Sequence, residues 1–166
     1  LGFDIWLDRR QIRWLEAHRA RVPGAFAGRV TLEEHQRAVG YALERLRLSI
    51  LDSIIGAGLT AVLLVGGLFA VLTMLATTIA GPGYVAGLLL AGDVMLIYVA
   101  AEVPVAAWRT FKIEQKYGFN RTTPALFVAD LAKGAVLAIV IGAPFILAID
   151  FIMRHAGDLW WLAGWG

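Results

Sequence analysis

The sequence predicts an all-α, polytopic helical membrane protein with three complete transmembrane helices and partial helices at both ends. Of its 166 residues, 59% are hydrophobic and only 17% are charged, and the mean hydropathy is +0.70. A soluble domain carries about 25% charged residues. Three apolar runs reach the roughly 20 residues that cross a bilayer as a helix. These observations predict that the whole chain, 1–166, is one membrane domain.

The N-terminal part predicts a short apolar helix end followed by a basic, mostly helical segment. Residues 1–7 are too short to span a bilayer, and we interpret them as the tail of a truncated helix. Residues 9–49 predict a cytoplasmic loop, in which a surface helix over 9–21 ends at Pro23. Thr31 and Glu34 form a capping box, because each side chain can bond the other residue's backbone N–H. A second helix is therefore expected to begin near Leu32 and to continue into the membrane.

The three predicted transmembrane helices cover 53–80, 84–108 and 134–153. The Gly81-Pro82-Gly83 turn separates the first two, and Pro144 is expected to kink the third. A polar loop over 109–130 connects the second and third helices. The apolar residues 159–166 predict the start of a further helix.

The distribution of basic residues predicts the orientation. Nine Arg lie in 9–49, and two Lys and two Arg lie in 109–130, whereas the Gly81–Gly83 turn has no basic residue. Cytoplasmic loops of membrane proteins carry an excess of Lys and Arg. Both basic loops are therefore predicted to be cytoplasmic, and the tight turn faces the other side.

The second predicted helix contains two acidic residues, Asp93 and Glu102, the latter close to Pro104. A carboxylate inside the membrane costs a few kcal/mol and should face protein or water. Nine residues at about 100° each place the two carboxylates on opposite helix faces. Glu102 is better placed to pair with Arg109, whereas Asp93 either has a buried partner or lines a hydrated chamber. Asp52 and Asp150, near helix ends, are expected to be interfacial.

No catalytic residue and no metal ligand is predicted in this chain. Its histidines are His18, His35 and His155, which form neither an H-E-x-x-H motif nor a pair at i, i+4 spacing. With no cysteine, thiolate ligands are excluded as well. Each histidine is therefore interpreted as a surface residue.

The polar loop carries the most specific pattern in the sequence, F-K-I-E-Q-K-Y-G-F-N-R-T-T-P over 111–124. With Pro104 upstream, it resembles the type I CAAX prenyl proteases, whose pattern runs D-L-P, then F-x-I-E-x-x-x-G-F-N, then Thr. Glu102 stands where Asp is usual. The loop residues that match in register are Phe111, Ile113, Glu114, Gly118, Phe119, Asn120 and Thr123.

The resemblance implies the scaffold of a zinc metalloendopeptidase, with a hydrated chamber and an active site near the cytoplasmic side. Zinc and its ligands would then belong to a C-terminal catalytic domain outside this chain, which itself binds no cofactor. The implied partners are the lipid bilayer, that catalytic domain and a peptide or protein substrate, without nucleic acid. Separately from the resemblance, the predicted location is a bacterial inner membrane, because 12 of the 15 basic residues are Arg, which indicates a GC-rich bacterial genome. The alternative is a non-catalytic transporter or channel module with Asp93 and Glu102 along its path.

The role of the polar loop has two interpretations. Glu114 and Asn120 could organise the cytoplasmic mouth of the chamber, through charge pairs with groups such as Arg109, Lys112 or Arg121, or with the catalytic domain. Alternatively, the loop only packs and shapes the fold.

Overall fold

The computed structural model describes residues 2–26 and 28–155, and within them the chain is helical with no strand. Three of its helices are long and apolar enough to cross a membrane, which confirms the predicted fold class. The predicted helix start at 159–166 lies outside the described residues. The long helices and the shorter ones are α1 (Gly2–His18), α2 (Leu32–Leu64), α3 (Leu68–Ala80), α4 (Tyr84–Tyr117) and α5 (Pro124–His155).

The N-terminal segment forms one helix rather than two pieces. We expected the apolar residues before Asp8 to be separate from a surface helix over 9–21, but α1 runs from Gly2 to His18 without a break. No Gly or Pro lies between these ends, so nothing in the sequence interrupts the backbone hydrogen bonds.

Helix α2 begins where the capping box predicts. The Thr31 backbone N–H donates to Glu34 Oε2 at 2.8 Å, and the Glu34 N–H donates to Thr31 Oγ1 at 3.2 Å. The helix then extends through the basic segment into the apolar run. Residues 32–49, 18 of the 41 residues of the segment 9–49 that we described as a loop, therefore belong to this helix.

The first apolar run, 53–80, is not one continuous helix. Helix α2 ends at Leu64, and α3 begins at Leu68. Gly67 adopts a left-handed conformation with φ 76°, and a Cβ on Gly66 would lie 2.7 Å from the Val62 carbonyl oxygen. Two adjacent glycines thus allow a local conformation that other residues rarely adopt, and it interrupts the helix.

The segment that we predicted as a loop over 109–130 is mostly helical. Helix α4 continues to Tyr117 through a π-helical stretch, Arg109–Glu114, and α5 begins at Pro124 rather than near Gly134. Only residues 118–123 connect the two helices. The change to polar residues near Trp108 therefore marks the end of the apolar run and not the end of the helix. Lys and Glu are good helix formers, so α4 continues through them.

The expected irregularity at Pro144 is a widened helical stretch, Ala138–Gly142. A proline at 144 has no N–H to donate to the carbonyl of Val140, so the α-helical hydrogen-bonding pattern cannot be completed there. The π-helical geometry accommodates this loss inside the otherwise continuous α5.

The chain divides into two compact units, Leu1–Ala61 with Tyr98–Arg121, and Val62–Ile97 with Thr122–Gly166. In the first unit, Leu48, Val105 and Ile113 form a buried apolar cluster. In the second, Arg154 donates from Nε to Asp150 Oδ1 at 2.8 Å and lies over the Tyr84 ring. Large apolar side chains on α5, including Ile139 and Ile141, are exposed, which suits a surface in contact with lipid.

Candidate functional site

The segment Phe111–Thr123, called the signature segment below, forms the end of α4 and the connection to α5. Gly118 ends α4 in the left-handed conformation with φ 80°. Its neighbours Phe119 and Asn120 donate their backbone N–H groups to the Glu114 carbonyl, at 2.8 and 3.2 Å. These hydrogen bonds are typical of a glycine-terminated helix. Gly118 therefore fixes the direction in which the chain leaves α4.

The end of the signature segment starts the next helix. Thr123 Oγ1 accepts from the Leu126 N–H at 3.2 Å, and Pro124 occupies the first helical position. This cap satisfies an N–H group that has no partner inside the helix, and proline has no N–H to lose at that position. Thr123 and Pro124 together therefore define the start of α5.

Apolar residues of the signature segment lie at different depths. Ile113 is only 4% exposed and belongs to the buried cluster with Leu48 and Val105. Phe111 is half-buried. Phe119 is 62% exposed, although its ring lies 4.9 Å from the ring of Tyr41. The segment is thus anchored through Ile113, while Phe119 offers an apolar surface.

A polar junction connects α2 to the end of α4. The Glu44 carboxylate accepts from Lys116 Nζ and from Tyr117 Oη, the latter at 3.2 Å. Arg37 Nη2 donates to the Tyr117 backbone carbonyl at 2.8 Å. We call these four residues the Glu44 junction, and they fix the position of the signature segment relative to α2.

Gly40 provides the space for this junction. A Cβ at position 40 would lie 2.9 Å from Tyr117 Oη, closer than real Cβ contacts allow. The Tyr117 ring also packs edge-on against Tyr41 at 5.4 Å.

The sequence did not identify the α2 half of this arrangement as functional. In the sequence, the one indication of this arrangement is a spacing that places four α2 residues along one helix face: Arg37, Tyr41, Glu44 and Leu48.

The predicted charge partners of Glu114 are not observed in the part of the chain that the structure describes. Among the described residues, the half-buried Glu114 side chain has no hydrogen bond or ion pair with Arg109, Lys112 or Arg121, and its backbone carbonyl makes the local contacts instead. The expected pair between Glu102 and Arg109 is also absent from this part of the chain. The π-helical stretch Arg109–Glu114 changes the angular position of the side chains, so α-helical spacing does not predict their neighbours.

The first unit also contains a cavity that two acidic residues line. Asp52 and Glu102 both line a cavity of about 190 Å³, together with Tyr98, whose hydroxyl is 2.8 Å from Thr60 Oγ1. Asp93 does not line it. The structure thus brings Glu102 near Asp52, which we had interpreted as interfacial only, and Pro104 lies exposed within α4.

Asp93 is half-buried in α4, and within the described chain it has neither a hydrogen bond nor an ion pair.

The described residues do not provide a zinc site. They contain no group of three or more His, Asp or Glu side chains that could hold a metal ion. His18 Nδ1 and His155 Nδ1 each contact the carbonyl four residues earlier, and His35 Nε2 is 3.2 Å from the His18 carbonyl. A metal implied by the sequence resemblance therefore does not fit the side chains that this structure contains.

Comparisons with known proteins agree with the sequence resemblance. The family described as "CAAX prenyl protease N-terminal, five membrane helices" matches residues 11–166. The chain is 28% identical to a CAAX prenyl protease 1 homolog of Oryza sativa and 26% identical to that of Arabidopsis thaliana, over 99% and 93% of its length. It spans 40% and 38% of those relatives.

A solved structure shares the fold. The crystal structure of S. mikatae Ste24p superimposes with a TM-score of 0.84, at 22% sequence identity. The match covers 96% of this chain and 39% of that chain. The helical arrangement described above therefore occurs in a known polytopic protein.

Proposed function

The chain belongs to the CAAX prenyl protease family, and we propose that it is the membrane-embedded scaffold domain of a zinc metalloendopeptidase. The match over residues 11–166 carries this proposal. The chain spans about two-fifths of its relatives, so the peptidase activity belongs to the whole protein. The catalytic zinc motif is proposed to lie outside this chain, because the sequence contains no H-E-x-x-H motif.

We propose that the signature segment positions the catalytic part of the protein at the cytoplasmic mouth of the membrane domain. Two features of the structure support this role. The Glu44 junction and the Gly118 turn hold the backbone in place. At the same time, the Glu114 carboxylate has no partner within the described chain, and the Phe119 ring is largely exposed. A fixed backbone with an available carboxylate and ring suits a surface that binds another part of the same protein.

The proposed substrates are peptide bonds near protein C-termini or in membrane-associated proteins. The relatives are named CAAX prenyl proteases, and a membrane domain places the enzyme where such substrates reside. We propose a bacterial inner membrane as the location, because 12 of the 15 basic residues are Arg, which is typical of GC-rich bacterial genomes.

The alternative function, a transporter or channel module, has one supporting observation. Asp52 and Glu102 line the same cavity and could interact with a cation or a polar solute. Asp93, the other acidic residue that we expected along such a path, does not line that cavity. The family match favours the peptidase.

Alanine substitutions in the full-length protein test the proposed role of the signature segment. Glu114→Ala should lower cleavage of a prenylated C-terminal peptide at least tenfold, because one charge-assisted contact is worth about 1.5–3 kcal/mol. Asn120→Ala should also lower it. The matched control is Gln115→Ala at the exposed neighbouring position, which should cleave normally.

Two further results would contradict the proposal. Cleavage by the full-length protein that persists in a zinc chelator would exclude zinc catalysis. Normal activity of both Glu114→Ala and Asn120→Ala would show that the segment is only a connector.

A further inference from the structure

An open groove of about 310 Å³ is lined by residues of α1 and α2. Its lining combines polar and small apolar groups: Gln11, Tyr41, Ala42, Arg45, Leu46 and Ser49. The volume is at the lower end of the range of about 300–1,000 Å³ for small-ligand pockets. The lining contains no acidic residue.

The charge in this groove comes from Arg45. Two nearby carboxylates already have partners, since Glu16 of α1 pairs with Arg47 at 3.0 Å and Glu44 of α2 pairs with Lys116. Asp8, three residues before Gln11 on α1, does not line the groove. Within the described chain, Arg45 has no carboxylate partner, and its guanidinium instead lies 5.6 Å from the centroid of the Tyr41 ring. Its N–H groups are therefore available to an anion.

The position of the groove along α2 brings it close to the membrane surface. Ser49 precedes the uncharged run that begins at Ser53 by four residues, or about 6 Å of helix. The headgroup layer of a bilayer is about 5–8 Å thick on each side. Ser49 thus lies at headgroup depth. The Arg45 backbone lies about 12 Å from the start of the run, so its long side chain has to extend back toward the bilayer to reach a headgroup.

We propose that this groove binds the phosphate of an anionic phospholipid on the cytoplasmic side of the membrane. Arg45 would pair with the phosphate, because a guanidinium forms charge-assisted hydrogen bonds with phosphate oxygens. Gln11 and Ser49 supply neutral hydrogen-bond donors, and Ala42 and Leu46 provide an apolar contact for the glycerol backbone. The occupant is a lipid rather than a free anion, since the groove opens beside the start of the apolar run.

Tyr41 connects this lipid site to the signature segment. Tyr41 lines the groove, where Arg45 lies over its ring. The Tyr41 ring also contacts the rings of Tyr117 and Phe119, with centroid distances of 5.4 and 4.9 Å. A bound headgroup would restrict Arg45 and Tyr41 and thereby reduce the motion of the signature segment. The inference requires the membrane domain alone and does not depend on peptidase activity.

Native mass spectrometry of the detergent-solubilised chain tests the site. Phosphatidylglycerol and phosphatidylcholine with the same acyl chains are titrated separately, and the dissociation constants are compared. Wild type should prefer phosphatidylglycerol, and Arg45→Gln should weaken that binding roughly tenfold, as expected when one charge-assisted hydrogen bond is lost. Gln11→Leu should weaken it less. Arg45→Gln should weaken phosphatidylcholine binding by a smaller factor than phosphatidylglycerol binding, because the quaternary ammonium of phosphatidylcholine offsets the charge of its phosphate.

The matched control is Arg19→Gln, which removes the same charge from an exposed residue that does not line the groove. It should retain wild-type affinity for phosphatidylglycerol within a factor of about two. An equal loss of phosphatidylglycerol affinity in Arg45→Gln and Arg19→Gln would show only a general attraction of anionic lipid to basic residues, and it would contradict the proposed site. Displacement of the lipid by millimolar inorganic phosphate would show a site for free anions, which would also contradict the proposal.

Discussion

At the residue scale, the contact between α2 and the end of α4 depends on the absence of a side chain at position 40. The Tyr117 hydroxyl occupies the space that a Cβ would need, and this hydroxyl also donates to Glu44. The position therefore couples a steric requirement to a hydrogen bond. A sequence of this composition contains many glycines, and only the tertiary contact distinguishes this one from the others.

Gly40→Ala should destabilise the chain, because the new methyl group displaces Tyr117 from a ring position held by Tyr41 and Glu44. Overpacking of this kind costs about 1–3 kcal/mol. Thermal unfolding in one detergent would show a lower midpoint for Gly40→Ala. Gly58→Ala, in the same helix, meets nothing within 4 Å and should unfold near the wild-type temperature.

A second substitution identifies the atom responsible. Tyr117→Phe removes the hydroxyl oxygen that the methyl group would approach, so Gly40→Ala combined with Tyr117→Phe should recover part of the lost stability. If the double variant is no more stable than the sum of its single changes implies, the clash does not involve this oxygen.

The ion pair between Glu44 and Lys116 should contribute a measurable coupling energy. The Lys116 side chain is 61% exposed and that of Glu44 is 32% exposed, so solvent screens part of the interaction. A double-mutant cycle with Glu44→Gln and Lys116→Met should give a small but favourable coupling energy in unfolding measurements. As a control, Glu33 lies about 16 Å along α2 from Glu44, and Glu33→Gln should be additive with Lys116→Met. Additivity in both cycles would contradict the role assigned to the junction.

At the element scale, backbone conformation rather than hydropathy decides where the helices begin and end. Gly66 and Gly67 interrupt an apolar run that contains no charge, whereas α4 continues through the polar residues before Gly118. Glycine has the conformational freedom that these helix ends require, and charged residues such as Lys and Glu do not oppose helix formation. This is why the first predicted span was wrong as a single helix, and why the predicted loop is largely helical.

Gly67→Ala should lower the stability of the membrane domain, because its left-handed φ of 76° is unfavourable for any residue with a Cβ. The expected cost is about 1–2 kcal/mol. Its measurement is the thermal midpoint in detergent, again compared with Gly58→Ala. An unchanged or higher midpoint for Gly67→Ala would mean that the break between α2 and α3 relaxes into a continuous helix without cost.

At the scale of the whole molecule, the positive-inside rule predicts the orientation. The segments 9–49 and 109–130 carry most of the basic residues, and in the first unit they contact each other through the Glu44 junction. Two segments in contact outside the bilayer must lie on the same side of it. Their assignment to the cytoplasm remains a prediction.

Cysteine labelling tests this orientation directly, because the chain has no native cysteine. Single cysteines at the exposed positions Ala20 and Arg121 should react with a membrane-impermeant maleimide only from the cytoplasmic side. A cysteine at the exposed Pro82 should react only from the other side. Labelling of Ala20→Cys and Arg121→Cys from opposite sides would contradict the topology.

The sequence by itself determined the membrane class, the three apolar runs, the caps at Thr31 and Thr123, and the family to which the signature segment points. All of these depend on hydropathy or on hydrogen bonds between residues a few positions apart, and such properties are local. The glycine at position 118 belongs to the same group, because its helix-ending role needs no distant partner.

Only the tertiary structure decided which side chains act together. Glu44 and Lys116 are 72 residues apart, and the groove joins Gln11 of α1 to Arg45 of α2. Asp52 and Glu102 also line one cavity, although nothing in the sequence indicates that these two residues lie near each other. These pairings depend on how the helices pack and on the π-helical stretch that changes side-chain directions after Trp108. Spacing along one helix contains no information about its neighbours, so these sites required the packed structure.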